Sequence, residues 1–256
     1  SKCPISWHIE TDCPWMQFSC TGGTVAENQC VILTIDRSQI TGKAAGQFAV
    51  VNEHIQEGTG AANIIVEVDN TPVSYPKGTF VEANGCIAME AQHYTANRDV
   101  PGGGFALLKP YGRLGTALKV FPATANFENS EERPYLEYTF AAAKDGDYHV
   151  QFHMSATTPV TFEPKQYIGY SVNGGAVQVV NTVHEENRPF FGSEQWYAEG
   201  FANVKLIEAM IPCHAGVNTL RFYAVSPAII LEKIVLWPDG TTLPESYLGP
   251  RESYRC

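Results

Sequence analysis

Short runs of β-branched and aromatic residues recur along the chain at spacings of about ten residues, separated by Gly, Pro or Asn. That regularity constrains the fold more than any other feature. Nowhere does a 3.6-residue apolar pattern extend beyond about two turns, so helices cannot be the main packing element. Residues 147–154 (DYHVQFHM) show the logic: Tyr148, Val150, Phe152 and Met154 point to one face, and Asp147, His149, Gln151 and His153 to the other. The first set belongs to a core, and the second is solvent-facing or lines a concave face. Further strands are predicted over 86–92, 116–121, 135–141, 166–172, 176–183, 203–211, 217–224 and 228–236. Asn173-Gly174 supplies the positive φ of a tight hairpin. Nearer the N-terminus, 30–36 reads as a buried strand, and 62–68 alternates Ile64, Val66 and Val68 against Asn63 and Glu67. Two prolines within Asn70–Gly78 mark a semi-rigid linker. The expected architecture is all-β, with two tandem β-sandwich domains: an Ig-like domain over 1–78 and a jelly-roll domain over 79–256.

Charge and cysteine narrow the partners. The net charge is −10, and the 17 Lys and Arg residues form no basic run. A protein that neutralises phosphates needs a basic footprint, so nucleic acid and anionic membranes are excluded as partners. An acidic surface suits an extracellular protein meeting a neutral polymer. No 18-residue apolar run is present, and with no apolar leader the chain reads as a mature or excised product without a membrane span. The seven cysteines (Cys3, Cys13, Cys20, Cys30, Cys86, Cys213 and Cys256) form neither a CxxC pair nor a zinc-ligand spacing with histidine. Disulfides in an oxidising compartment are therefore expected, hence secretion. Two are placed among Cys3, Cys13, Cys20 and Cys30 without a choice of pairing, and one joins Cys86 to Cys213 or Cys256.

Catalytic patterns are missing. A glycosidase needs two carboxyl groups facing each other across a cleft, whereas Glu131-Glu132 and Glu185-Glu186 are adjacent pairs that read as surface. No GxSxG, P-loop or HExxH occurs. His149 and His153, four residues apart on a strand, lie about 13 Å apart, too far for one metal ion. A sugar site needs aromatic faces beside groups that read hydroxyls. Residues 184–197 (HEENRPFFGSEQWY) concentrate them in an expected loop: Asn187, Arg188, Phe190, Phe191, Trp196 and Tyr197. The guanidinium of Arg188 suits a uronic carboxylate. Core packing is the competing reading, favoured for Trp196. Tyr94, Tyr111 and Arg113 form a second cluster.

The second domain also resembles the C-terminal domain of glycoside hydrolase family 115 α-glucuronidases. The resemblance runs in order through Ile87–Tyr94 (IAMEAQHY), Gly102-Gly103-Gly104, Tyr111-Gly112-Arg113, Val120-Phe121-Pro122, Tyr135-Leu136-Glu137-Tyr138, Trp196 with Asn203, 217–236, and Ser246–Ser253 (SYLGPRES). It implies a parent enzyme acting on glucuronoxylan, with a catalytic barrel that this chain lacks. It also implies a carbohydrate-binding or accessory role, or alternatively packing on the barrel or on a second subunit as a homo-oligomer. A free-standing lectin is a third reading. Binding modules of families 6 and 35 hold a structural Ca²⁺ near the equivalent of Glu90 and Gln92, with a late acid, here Glu232. Gln92 stands where those modules have a carboxylate. No other cofactor is implied.

Overall fold

The computed structural model describes residues 3–54, 60–72, 74–160, 163, 165–183, 192–243 and 246–256. The protein is all-β and divides into two compact units, Ser1–Ser74 and Tyr75–Cys256. The division falls inside the proline-bearing stretch.

In the first unit, β1 (Ile5–Glu10), β2 (Met16–Phe18), β3 (Gly22–Val25), β4 (Leu33–Ile35), β5 (Gly42–Asn52) and β6 (Ala61–Asn70) form two antiparallel sheets, β3-β1-β5-β6 and β2-β4. Trp15, Met16 and Ile40 are buried between them, with Phe18, Phe48, Val66 and Val68 packed around. Gly46 on β5 permits this approach: a Cβ there would lie 2.4 Å from the Cys13 sulfur and 2.6 Å from the Trp15 ring. The strand expected over 30–36 shrinks to three residues, and Ile32 is exposed. Its β-branched content was a propensity without a facing sheet to cover it.

The second unit contains β7 (Phe80–Val81), β8 (Ile87–Glu90), β9 (Ala96–Arg98), β10 (Gly104–Leu108), β11 (Ala117–Phe121), β12 (Tyr135–Ala142), β13 (Gly146–Met154), β14 (Tyr167–Val172), β15 (Gln178–Asn181), β16 (Lys205–Cys213), β17 (Gly216–Ala224) and β18 (Ile230–Pro238). One sheet runs β10-β11-β18-β13-β16, with β8 also on β18; the other runs β15-β14-β17-β12-β7, with β9 also on β12. Between them lies one core. Tyr148, Val150, Phe152 and Met154 enter it fully buried, as the alternation requires. Buried phenols are satisfied: Tyr138 donates to the Ala91 carbonyl at 2.8 Å, and Tyr148 to Glu82 at 2.8 Å. Asn173 and Gly174 take φ of 51° and 73° in the β14–β15 hairpin. No described helix is long and apolar enough to cross a membrane.

No disulfide joins Cys13, Cys20, Cys30, Cys86, Cys213 or Cys256, which corrects the expected framework. Four of these sulfurs have other surroundings. The Cys13 thiol donates to Asp12, that of Cys86 donates to the Ala83 carbonyl, and Cys20 accepts from Gln29. Cys213 belongs to the core, where burial pushes its thiol up to about 12. A hydrophobic core of this extent can supply stability without covalent staples.

Candidate functional site

The residues of β13 that point away from the core build an open face. Each has a cross-strand neighbour on both sides: His149 faces Met210 and Trp237, Gln151 faces Glu208 and Val235, and His153 faces Leu206 and Lys233. At one end the His149 and Trp237 rings stack, 5.1 Å between centroids and 9° between planes. Asp239 accepts from His149 at 3.2 Å. Both rings of this stacked pair are half-buried.

At the other end the register between β13 and β18 slips, because Met154 pairs with Leu231 while His153 pairs with Lys233. Glu232 is the extra residue of this bulge, and a bulge re-aims its side chains. The Glu232 carboxylate lies on the backbone of Gly112 and Arg113, accepting the Arg113 N–H at 3.2 Å. Only glycine fits at 112, where φ is +65° and a Cβ would sit 2.6 Å from the Glu232 carboxyl carbon. The Arg113 side chain, 5% exposed, passes 4.0 Å from Glu232, itself 1% exposed. Burial raises the Glu232 pKa, and Arg113 acts against that rise.

From Arg113 a hydrogen-bonded relay crosses the face. Its Nη2 donates to His153 Nδ1 at 3.0 Å, so the imidazole proton sits on Nε2, which donates to Gln151 at 2.7 Å. The Gln151 amide donates in turn to Glu208 at 2.6 Å. Burial, reinforced by the charges of Arg113 and Lys233, holds the His153 pKa down at about 3. His153 is therefore a neutral link that fixes the Gln151 amide.

The C-terminal segment roofs this end. Lys233 donates to the carbonyls of Leu248 and Pro250 at 3.0 and 2.8 Å, and Arg113 donates to the Tyr247 carbonyl while lying over the Tyr247 ring. Between sheet and segment lies a cleft of about 790 Å³, lined by Arg113, Gln151, Trp237, Tyr247, Thr241, Thr242 and Ser246, among others. Aromatic faces beside a fixed amide and hydroxyls make a surface suited to a polyhydroxylated ligand.

Of the predicted site residues, Arg113 lines this cleft. Tyr111 is turned inward, its hydroxyl 3.1 Å from that of Ser155, and Tyr94 packs against the core. The structure does not bring the three together as a surface cluster. Asn187, Arg188, Phe190 and Phe191 lie outside the described residues. Trp196 and Tyr197 stand on α1 (Glu194–Ala202) rather than in a loop. Ser193 caps its start, accepting from the Trp196 N–H, and Asn203 ends it in the left-handed conformation. Trp196 is half-buried, edge-on to Tyr197, and Tyr197 stacks on Phe201; Tyr197 and Phe201 are exposed.

The ion-binding expectation also changes shape. Glu232 serves Arg113, while Glu90 accepts from Gln92 at 3.1 Å. Among the described residues, Glu90, His93 and Glu252 converge, with candidate ligand atoms all within 4.8 Å. Glu252 is already bonded to His93 at 2.8 Å and to the Glu90 N–H at 3.0 Å, and the ammonium of Lys233 lies in the field of both carboxylates. A hard cation needs six or more oxygen ligands. Glu90, Gln92 and Glu232 do not fit one, and the group reads as an ion network internal to the fold.

Sequence reasoning missed Trp237 and Tyr247 as site residues. Trp237 lay one residue beyond the predicted end of its strand, and Tyr247 sits in a segment without strand periodicity. His149, Gln151 and His153 were legible as a face from the alternation alone.

The sequence matches the glycosyl hydrolase family 115 C-terminal domain over residues 79–252. No curated protein sequence matches the chain. Among solved structures, similar chains include a family GH115 4-O-methyl-α-glucuronidase with specificity for decorated arabinogalactans (14% identity, TM-score 0.48), over 67% of this chain and 20% of that one. A family 35 carbohydrate-binding module from Clostridium thermocellum is 21% identical with a TM-score of 0.41, over 59% of this chain and 97% of that one. A Podospora anserina GH26-CBM35 β-(1,4)-mannanase is 14% identical with a TM-score of 0.41, over 63% and 29%. The chain thus spans about a fifth of the length of the GH115 enzyme.

Proposed function

Because the chain belongs to the glycosyl hydrolase family 115 C-terminal domain family, matched over residues 79–252, we propose that it is the carbohydrate-binding accessory region of a secreted α-glucuronidase. It holds a uronic-acid-bearing plant polysaccharide such as glucuronoxylan for a catalytic domain elsewhere. The observation that carries this reading is the cleft over β13, where the stacked Trp237–His149 pair, Gln151 with its pinned amide, Thr241 and Thr242 line one space. Preference for a uronic acid rests on Arg188, a planar donor fork for a carboxylate. Such a charge-assisted contact is worth roughly 1.5–3 kcal/mol, or about one to two decades of affinity.

Affinity electrophoresis of the full chain in gels containing glucuronoxylan tests the reading. Migration is retarded, Arg188→Ala weakens the retardation by about one to two decades in Kd, and no glucuronic acid is released. Unchanged migration in every plant polysaccharide tried would refute it. A second reading, in which the domain packs on a catalytic barrel or another subunit, draws on Phe201, 87% exposed beside Tyr197 on α1. An exposed aromatic patch of that kind suits a protein contact.

A further inference from the structure

A glycan cleft selects first by charge, so the state of each ion at this face matters. Arg113 is committed to Glu232, His153 and the Tyr247 carbonyl. Lys233, 2% exposed, spends its ammonium on the carbonyls of Leu248 and Pro250 and lies in the field of Glu90 and Glu252. His153 accepts from Arg113 through Nδ1, which leaves it uncharged. Arg113 and Lys233 are thus engaged within the protein, although Arg113 Nε, 4.0 Å from Glu232, makes no hydrogen bond. Two exposed carboxylates bond to lining residues: Glu208 to Gln151 and Asp239 to His149.

Among the residues lining the cleft, a ligand carboxylate meets Arg113 as the one cation, its Nη atoms already engaged within the protein, and two exposed anions nearby. An uncharged sugar chain meets the stacked Trp237–His149 pair, the exposed Tyr247 ring and an amide whose orientation is preset by the relay. The His149-to-His153 run of β13 offers about 13 Å of such surface, long enough to favour a chain over a single sugar.

We propose that this cleft takes an uncharged, undecorated stretch of polysaccharide backbone lying along β13, and that a uronic substituent is excluded from it. The inference rests on the glycan-binding reading above and assigns the cleft to the backbone rather than to the acidic branch.

The test is calorimetric titration of the full chain with two probes: a neutral β-1,4-xylo-oligosaccharide and the same oligosaccharide carrying one 4-O-methylglucuronic acid. The neutral probe binds with an affinity indifferent to salt. Trp237→Ala and the more exposed Tyr247→Ala each weaken it roughly tenfold, and circular dichroism checks that both fold. Glu208→Gln raises the affinity for the acidic probe several-fold relative to that for the neutral one. Binding of the neutral probe that persists in both cleft variants overturns the inference. So does binding of the acidic probe alone, which leaves the broader glycan reading standing. Failure of both probes overturns the inference, and the glycan reading falls with it only if migration is also unchanged in every plant polysaccharide gel.

Discussion

His153 is the residue whose environment departs furthest from what its identity suggests. It lies on the outward face of β13, yet it is 4% exposed and its pKa is held at about 3 against an ordinary value of 6.5. Between those values the unfolded chain binds a proton that the folded chain refuses. Stability therefore rises with pH through this window: the contribution is complete above 6.5 and is progressively lost as pH falls toward 3. From pH 7 to pH 5 the loss amounts to about 2 kcal/mol. His153→Gln removes the titrating group, so urea unfolding at the two pH values should show wild type losing about 2 kcal/mol more than the variant. Equal losses would mean that the imidazole is not kept neutral by the fold.

At the scale of elements, the bulge in β18 and the turn before β11 are one device. The bulge turns Glu232 onto Gly112, and the missing side chain at 112 gives the carboxylate room. Gly112→Ala adds a left-handed strain to a clash with a buried group, and should cost about 2–3 kcal/mol. Gly115 supplies the comparison: φ is +81°, but nothing lies within 4 Å of a Cβ there. Gly115→Ala should cost only the backbone strain, about 1 kcal/mol. Guanidinium unfolding of the two variants checks this, and equal costs would remove Glu232 from the argument. The bulge itself was not legible: a one-residue register slip leaves no mark on composition. Most strands of the second unit were, because alternation over eight or nine residues, as in β13 and β16, leaves little choice of face. Helix α1 escaped because EQWYAEGFA contains a glycine and buries no residue, so it carries no apolar stripe. Its caps, Ser193 and Asn203, were the signals available.

At the scale of the whole molecule, function follows from how the second unit spends its ions. Buried cations hold the C-terminal segment over one sheet, and the space beneath is left to aromatic rings and neutral hydrogen-bonding groups. From sequence alone the uronic-acid reading fell on Arg188, because a guanidinium among aromatics is visible there, whereas a cleft roofed by a segment far along the chain is not. The tryptophans offer a direct report, since Trp7, Trp15, Trp196 and Trp237 are the four in the sequence and only the last lines this cleft. In a proton–nitrogen correlation spectrum of the full chain titrated with xylo-oligosaccharide, the indole resonance of Trp237 should move progressively while those of Trp7 and Trp15 stay in place. A titration that leaves the Trp237 resonance unmoved, whether others shift or not, would contradict the account.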